Sequence, residues 1–579
     1  MSETRQPGPL SAAQLAGLAG GLSAGDTLTV LRGGQLGRRR LLTVAAARAA
    51  GDQPLVRQSL DLFTRAERAD PAAVAEVLTH PPVTGWARAA LDGSTGPTYL
   101  AALAAAAATR AGLTFTLTLP SPADGMLLLP TVGAATGLAA GPVLLRGDPG
   151  TLRIGTEGQA HDGVQISHGR RVGTDGGEVR WLPVRRVLAA EGIGVVIDDQ
   201  DPWRHCYHRP PTARLDDAAA ARLSQLTGHA WEWLRAHLPA HADGLAGLLR
   251  SLVPLLPPPS GNPVSATSRD ALGAIALSLP ADPPALALLL VHELQHTKLG
   301  ALLDLVPLHR PGGPARYRAP WRLDPRPVGA LLQGAYAHLG VAEVWRCRRH
   351  EGVTAAFEYA YWREQTLRAV RQLAESPELT EAGRTLVAGM ATTLRGWRDP
   401  VDGAVAAAVR DVADGGAVRW GLANLVPHPD EVERLARAWR RGVPPSAGGP
   451  GPTVVPTTAR PALAAGTGPE AAVRRRLLGG GDPSELDASD RAYAADELTD
   501  ALARYRRRLV ADSEDADAWV GLALAARRTG KAAPVLALIS RPELVRAVSR
   551  ALPGSDPLAV ATWLAHPARA AASPGTADS

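Results

Sequence analysis

Residues 285–309 read ALALLLVHELQHTKLGALLDLVPLH, with His292-Glu293-Leu294-Gln295-His296 near their centre. Asp282 is an N-cap residue, Pro283 and Pro284 suit a first turn that needs no amide donors, and Pro307 sets a stop. The helix so delimited is apolar around most of its circumference, the pattern of a buried element, yet it carries two imidazoles and a carboxylate. Histidines four apart lie about 40° apart on a helix and one turn apart in height, so both rings can reach one ion from the same face. Glu293, about 100° further round, can approach a metal-bound water or a substrate without being a ligand itself. A plain pair of core histidines is the competing reading, but burying both without a common partner is costly.

The third ligand decides the chemistry. Leu299 and Leu302 stand where the metzincin pattern needs glycine and a third histidine, so that class is excluded. Asp304 points away by helical phase. Downstream, His338 and Glu343 lie on a second helical stretch, five residues and so about 140° apart, and at most one can face an ion. Gly334, Ala335 and Ala342 share the side of His338 and would admit a neighbouring helix, whereas Glu343 shares a face with Leu332, Tyr336 and Leu339; this favours His338.

Upstream of the motif, the run 274–279 is strand-sized and apolar, and it is expected to offer a free edge to an extended peptide, with Ala274, Ile275, Ala276 and Leu277 binding substrate. Between the two ligand stretches lies an arginine-dense loop. Arg322 and Arg326 are its best candidates for forking a carboxylate.

The remaining chain supplies the frame. A length of 579 residues exceeds what one hydrophobic core usually supports. Residues 1–110 show helical spacing broken by Gly and Pro; 111–200 hold short β-prone runs separated by Gly, Pro and Asp; 201–440 are helical and contain the motif. The stretch 441–480 is rich in Pro and Gly and reads as a linker, and 481–579 is a helical tail. In that tail, Ala501, Tyr505, Trp519, Leu522 and Ala523 match part of a tetratricopeptide repeat. The expected fold class is thus mainly α with an inserted small antiparallel β region (α+β), the metal helix beside a strand, and a tetratricopeptide-like module at the C-terminal end. His161 and His168 read as solvated loop residues, and the acidic cluster 198–201 with His205 and His208 reads as a polar turn before a helix.

Lys298 and Lys531 are the only lysines among 62 Lys and Arg, so arginine carries the positive charge as a matter of overall usage. The net charge of +6 comes without any basic run interleaved with aromatics, which argues against a nucleic-acid partner. Cys206 and Cys347 alone exclude a disulfide framework and a cysteine metal site. No secretory segment and no membrane-spanning run is evident, and a cytoplasmic protein is expected.

The segments GAIALSLPADPPALALL, LVHELQHTKLGALLDLVPL and APWRLDPRPVGALLQGAYAHLGVAEVWR, with HPPVTGW at 80–86 and DPWR at 201–204, resemble the HExxH peptide-modification family of actinobacterial ribosomal-peptide pathways. The likeness spans about residues 10 to 440 and extends to the tail. It implies an iron(II)- and 2-oxoglutarate-dependent peptide β-hydroxylase acting on a ribosomally made precursor peptide, with His292 and His296 as metal ligands and Glu293 as the intervening acid. A radical-SAM pathway protein is an implied partner; the chain itself has no radical-SAM cysteine cluster. From the residues alone, zinc fits as well as iron, so a zinc peptidase with Glu293 as general base and a non-catalytic scaffold remain alternatives.

Overall fold

The computed structural model describes residues 10–22, 24–120, 124–156, 164–167, 170–172, 179–189, 193–259, 261–314, 316–445, 449–455, 468–479 and 483–566. His161 and His168 lie outside them. The chain is mainly helical with small sheets, and it divides into two compact units, 1–308 and 309–579. The division falls inside the stretch 201–440 expected as one catalytic core, so the motif helix belongs to the first unit and His338 to the second. Among the described residues no helix is long and apolar enough to cross a membrane.

Among the described residues the first unit opens with six helices. Their ends follow the local chemistry: Asp70 caps Pro71–Leu78 by accepting from the amides of Ala72 and Ala73, with Pro71 in the first turn. Thr98–Arg110 is buried from Tyr99 to Ala108, and its alanines let Pro54–Ala69 and Pro71–Leu78 pack closely on it. An antiparallel sheet follows, in the order Phe115–Leu119, Val143–Asp148, Thr151–Thr156, Val164–Ser167, Arg170–Val172. Phe115, Leu117 and Leu119 alternate inward onto the helical layer, as the period of two dictates.

The β-rich stretch 111–200 shares a sheet with the region that follows it. Its last two strands, Arg185–Ala189 and Ile193–Ile197, continue into a mixed sheet through Ser251–Pro254 and Ala274–Leu277 to Ser265–Ala266. Ile193–Ile197 and Ala274–Leu277 both run parallel to Ser251–Pro254, so the sheet is covered and all four residues of Ala274–Leu277 are buried.

In the turn 198–201 that leaves this sheet, Asp198, Asp199 and Asp201 are buried. The Asp201 carboxylate accepts from the Tyr99 hydroxyl (2.6 Å) and the Trp203 amide (2.8 Å), and His80 Nε2 lies 3.1 Å from it. Burial, and next the Asp201 charge, push the Asp198 carboxyl up to about 6. HPPVTGW and DPWR, far apart in sequence, therefore meet at one carboxylate.

In the second unit a short hairpin pairs Tyr317–Arg318 with Pro325–Arg326, and Val328–Arg348 follows. That helix stops at a turn with Gly352 at φ 141°, and a separate helix, Val353–Ala374, carries Tyr359, Tyr361 and Trp362. The stretch expected as a linker is structured in part: Thr453–Val454 pairs with Leu425–Val426, and Pro469–Leu478 is a helix whose Glu470 takes both ends of Arg419. Residues 446–448, 456–467 and 480 of it lie outside the described residues. In the tail, Leu498–Ala511 and Ala516–Arg528 form the expected hairpin. Ala501, Tyr505, Trp519, Leu522 and Ala523 are all buried, and Gly521 leaves room for the Tyr505 ring.

Candidate metal centre

The motif helix spans Pro283–Leu303. Asp282 caps it by accepting from the Ala285 amide at 2.8 Å, and it ends at Asp304, before Pro307 is reached. It is buried nearly all round, as its composition requires. Gly300 admits Leu272, and on the face away from the histidines Lys298 Nζ donates to the Gly21 carbonyl at 2.5 Å, with Gln295 Nε2 at 3.3 Å. Asp304 is held by Arg38, Arg269 and Gln35, so it is a structural acid, consistent with its helical phase.

His292 and His296 are half-buried, and their Nε2 atoms stand 3.2 Å apart with ring planes at 74°. Two nitrogens bound to one ion at about 2.1 Å are separated by roughly 3.0–3.4 Å for angles between 90° and 109°. The observed spacing lies in that range. Without an ion, one ring can donate to the other, which requires one of them to be neutral. Glu293 is only 3 % exposed; its Oε1 accepts from Ser265 Oγ at 2.7 Å and lies 4.0 Å from His292 Nε2, while Oε2 is buried with no hydrogen-bond partner. A sealed carboxylate with one unused oxygen beside two imidazoles is costly unless something fills the space between them. This donor set fits a small divalent ion with an acid at its flank. Among the described residues no group of three or more His, Cys, Asp or Glu is arranged to hold a metal.

Ala274–Leu277 is the expected strand, but its expected free edge is not there. It pairs along its whole length with Ser251–Pro254, and on the other side 265–266 fold back to cover Ala276 and Leu277. On this side of the sheet the outer strand among the described residues is Ser265–Ala266. The Ser278 amide donates to the Val264 carbonyl, so by antiparallel alternation the main-chain N–H and C=O of Ser265 turn away from Ala274–Leu277.

His338 is held in the second unit between two indoles, Trp321 at 4.2 Å and 15° and Trp362 at 4.6 Å and 32°. Its Nδ1 is 2.8 Å from the Gly334 carbonyl, which only accepts, so Nδ1 carries the proton and Nε2 the lone pair of the neutral ring. Gly334, expected to admit a helix, admits the Trp321 ring, which a methyl there would overlap. Glu343 is half-buried and contributes to the field at Arg346 and Cys347.

The arginine fork is engaged within its own loop. Arg322 binds Asp324 through Nε (2.7 Å) and Nη2 (3.3 Å), and Arg326 Nη1 reaches the same carboxylate at 3.1 Å. These bonds hold the Asp324 carboxyl below its ordinary range, against its partial burial.

Sequence reasoning missed Ser265 and the Trp321–Trp362 clamp. Ser265 sits in a proline-rich segment with no periodicity to mark it, whereas Trp321 and Trp362 could have been suspected from the bare Gly334 beside His338. No protein-family model matches the chain, and no curated protein is significantly similar to it.

Proposed function

We propose that the chain is a metal-dependent enzyme acting on a peptide, with His292 and His296 as ligands and Glu293 as the acid that handles a proton beside the ion. The observation that carries the reading is the 3.2 Å Nε2 separation beside a sealed carboxylate with an unused oxygen. On the sequence resemblance, the reaction is iron(II)- and 2-oxoglutarate-dependent β-hydroxylation of a precursor peptide, in which 2-oxoglutarate and dioxygen become succinate and carbon dioxide as one C–H becomes C–OH. When bound, the ion and its cosubstrate supply the oxidising chemistry.

The chain's own residues bind and orient. Ser265 fixes one oxygen of Glu293 and thereby aims the other. Trp321, Trp362 and the Gly334 carbonyl hold His338 in the tautomer with its proton on Nδ1. An extended substrate pairs with the outward main chain of Ser265, the outer strand, not with Ala274–Leu277. The tail hairpin is read as one tetratricopeptide-like unit whose role is packing, and the protein as cytoplasmic, working on a peptide delivered in the same compartment as a radical-SAM partner.

A second reading, zinc-dependent peptide hydrolysis, is favoured by the same free oxygen of Glu293, which suits a base for a metal-bound water. Metal content of the purified protein, read with succinate release and peptide cleavage, separates the two. Iron with succinate formation supports the hydroxylase, zinc with cleavage replaces it, and absence of bound metal after reconstitution overturns both. His338 as third ligand rests on the sequence: His338→Ala should lose metal, and full retention would remove His338 from the ligand set.

A further inference from the structure

The second unit contains one guanidinium whose surroundings differ from those of the other arginines in its loop. Arg310 is exposed, Arg316 contacts the Gly313 and Pro314 carbonyls, and Arg322 and Arg326 share Asp324. Arg318 is half-buried and, among the described residues, has no carboxylate within ion-pair distance. Its one side-chain hydrogen bond to them is a long one, 3.5 Å from Nη2 to the Ala413 carbonyl. The carboxylate that contributes to its electrostatics, Asp414, is already held by Arg368 and Arg527.

The main chain is fixed. Gln372 accepts from the Arg318 amide at 3.2 Å and donates to its carbonyl at 3.0 Å, which locks the strand to Val353–Ala374. The side chain lies over Gly416, close to where a methyl would sit. A guanidinium has five N–H donors, and here one is used weakly. Burial, then the neighbouring Arg368, lower its pKa to about 10, so the surroundings oppose its charge instead of balancing it.

We propose that Arg318 is the centre of a binding site for the carboxylate of a small organic acid, received by the planar fork over Gly416. The fork geometry favours the two coplanar oxygens of a carboxylate. Desolvation strengthens the pair once formed, and no described side chain of this unit needs to be displaced from the guanidinium. The proposal does not depend on the metal centre.

The test uses the whole chain, stripped of metal with EDTA, and isothermal titration with succinate, acetate and inorganic phosphate at constant ionic strength. Succinate and acetate should bind the wild type. Arg318→Met should weaken them at least tenfold and Arg318→Lys by less, while Arg322→Met should leave them unchanged. A measurement on the unaltered protein guards against misfolded variants: succinate should protect Arg318 from phenylglyoxal, read by peptide mass. Phosphate binding more tightly than succinate, succinate binding that survives Arg318→Met, or equal phenylglyoxal labelling with and without succinate would each overturn the proposal.

Discussion

Replacing Ser265 by Ala isolates the hydrogen bond that aims Glu293. The bond is 2.7 Å long and charge-assisted, Glu293 is 3 % exposed, and its second oxygen already lacks a partner. Without the hydroxyl, the nearest remaining polar contact of Oε1 is His292 Nε2 at 4.0 Å, too long for a hydrogen bond. A buried carboxylate then has two unsatisfied oxygens. The loss belongs at the upper end for a bond to a charged group, about 2–3 kcal/mol. In a Glu293→Met background the same serine change should cost under about 0.5 kcal/mol, because only a small hydroxyl is removed. The cycle therefore yields a coupling of roughly 2 kcal/mol, read from urea unfolding of the four proteins in EDTA, with unchanged m-values as the check on the unfolded state. A coupling below about 0.5 kcal/mol would refute the claim that Ser265 positions this carboxylate.

His292→Ala and His296→Ala should each leave the protein without stoichiometric metal after reconstitution, as measured by elemental analysis, while far-UV circular dichroism stays unchanged. Gly334→Ala forces a methyl into the Trp321 indole and should cost about 1–3 kcal/mol, most of it recovered in a Trp321→Leu background, by urea unfolding. Ile275→Pro and Ala276→Pro should both destabilise strongly, since the strand is paired on both sides; a mild effect of either on thermal unfolding would contradict that pairing. Burial pushes the Glu543 carboxyl from 4.5 to about 7. A carboxyl whose pKa is raised on folding destabilises the folded state increasingly as pH rises from about 4.5 to 7. Glu543→Gln should therefore stabilise by about 2–3 kcal/mol above pH 7 and by nothing below about pH 4, in pH-dependent urea melts.

The motif helix was legible because cap, prolines and apolar content agreed, and the imidazole pair followed from its 3.6-residue period. The tail hairpin was legible for the same reason: Tyr505 and Trp519 fall at packing positions of two helices. What escaped depended on pairing between distant segments. Ala274–Leu277 reads as a strand from its composition, but whether its edges are covered depends on where 251–254 and 265–266 lie, and no local pattern reports that. Likewise, Asp201 looks like turn polarity until His80 and Tyr99 arrive from elsewhere in the chain. The commitment of Arg322 to Asp324, two residues away, had a local signal that the reading of Arg322 as a free fork passed over; the isolation of Arg318 had none, because it depends on Asp414 already being held by Arg368 and Arg527.

The bond from Lys298 to the Gly21 carbonyl bears on the order of assembly. It joins groups 277 residues apart, and Gln295 makes the same connection. The closed loop contains both the antiparallel sheet and the mixed one, so the chain must restrict nearly the entire first unit before the ammonium finds its acceptor. Such long-range closure slows folding. The imidazole pair has its spacing set within one helix, and that helix is tied to the Gly21 segment only once the closure is made.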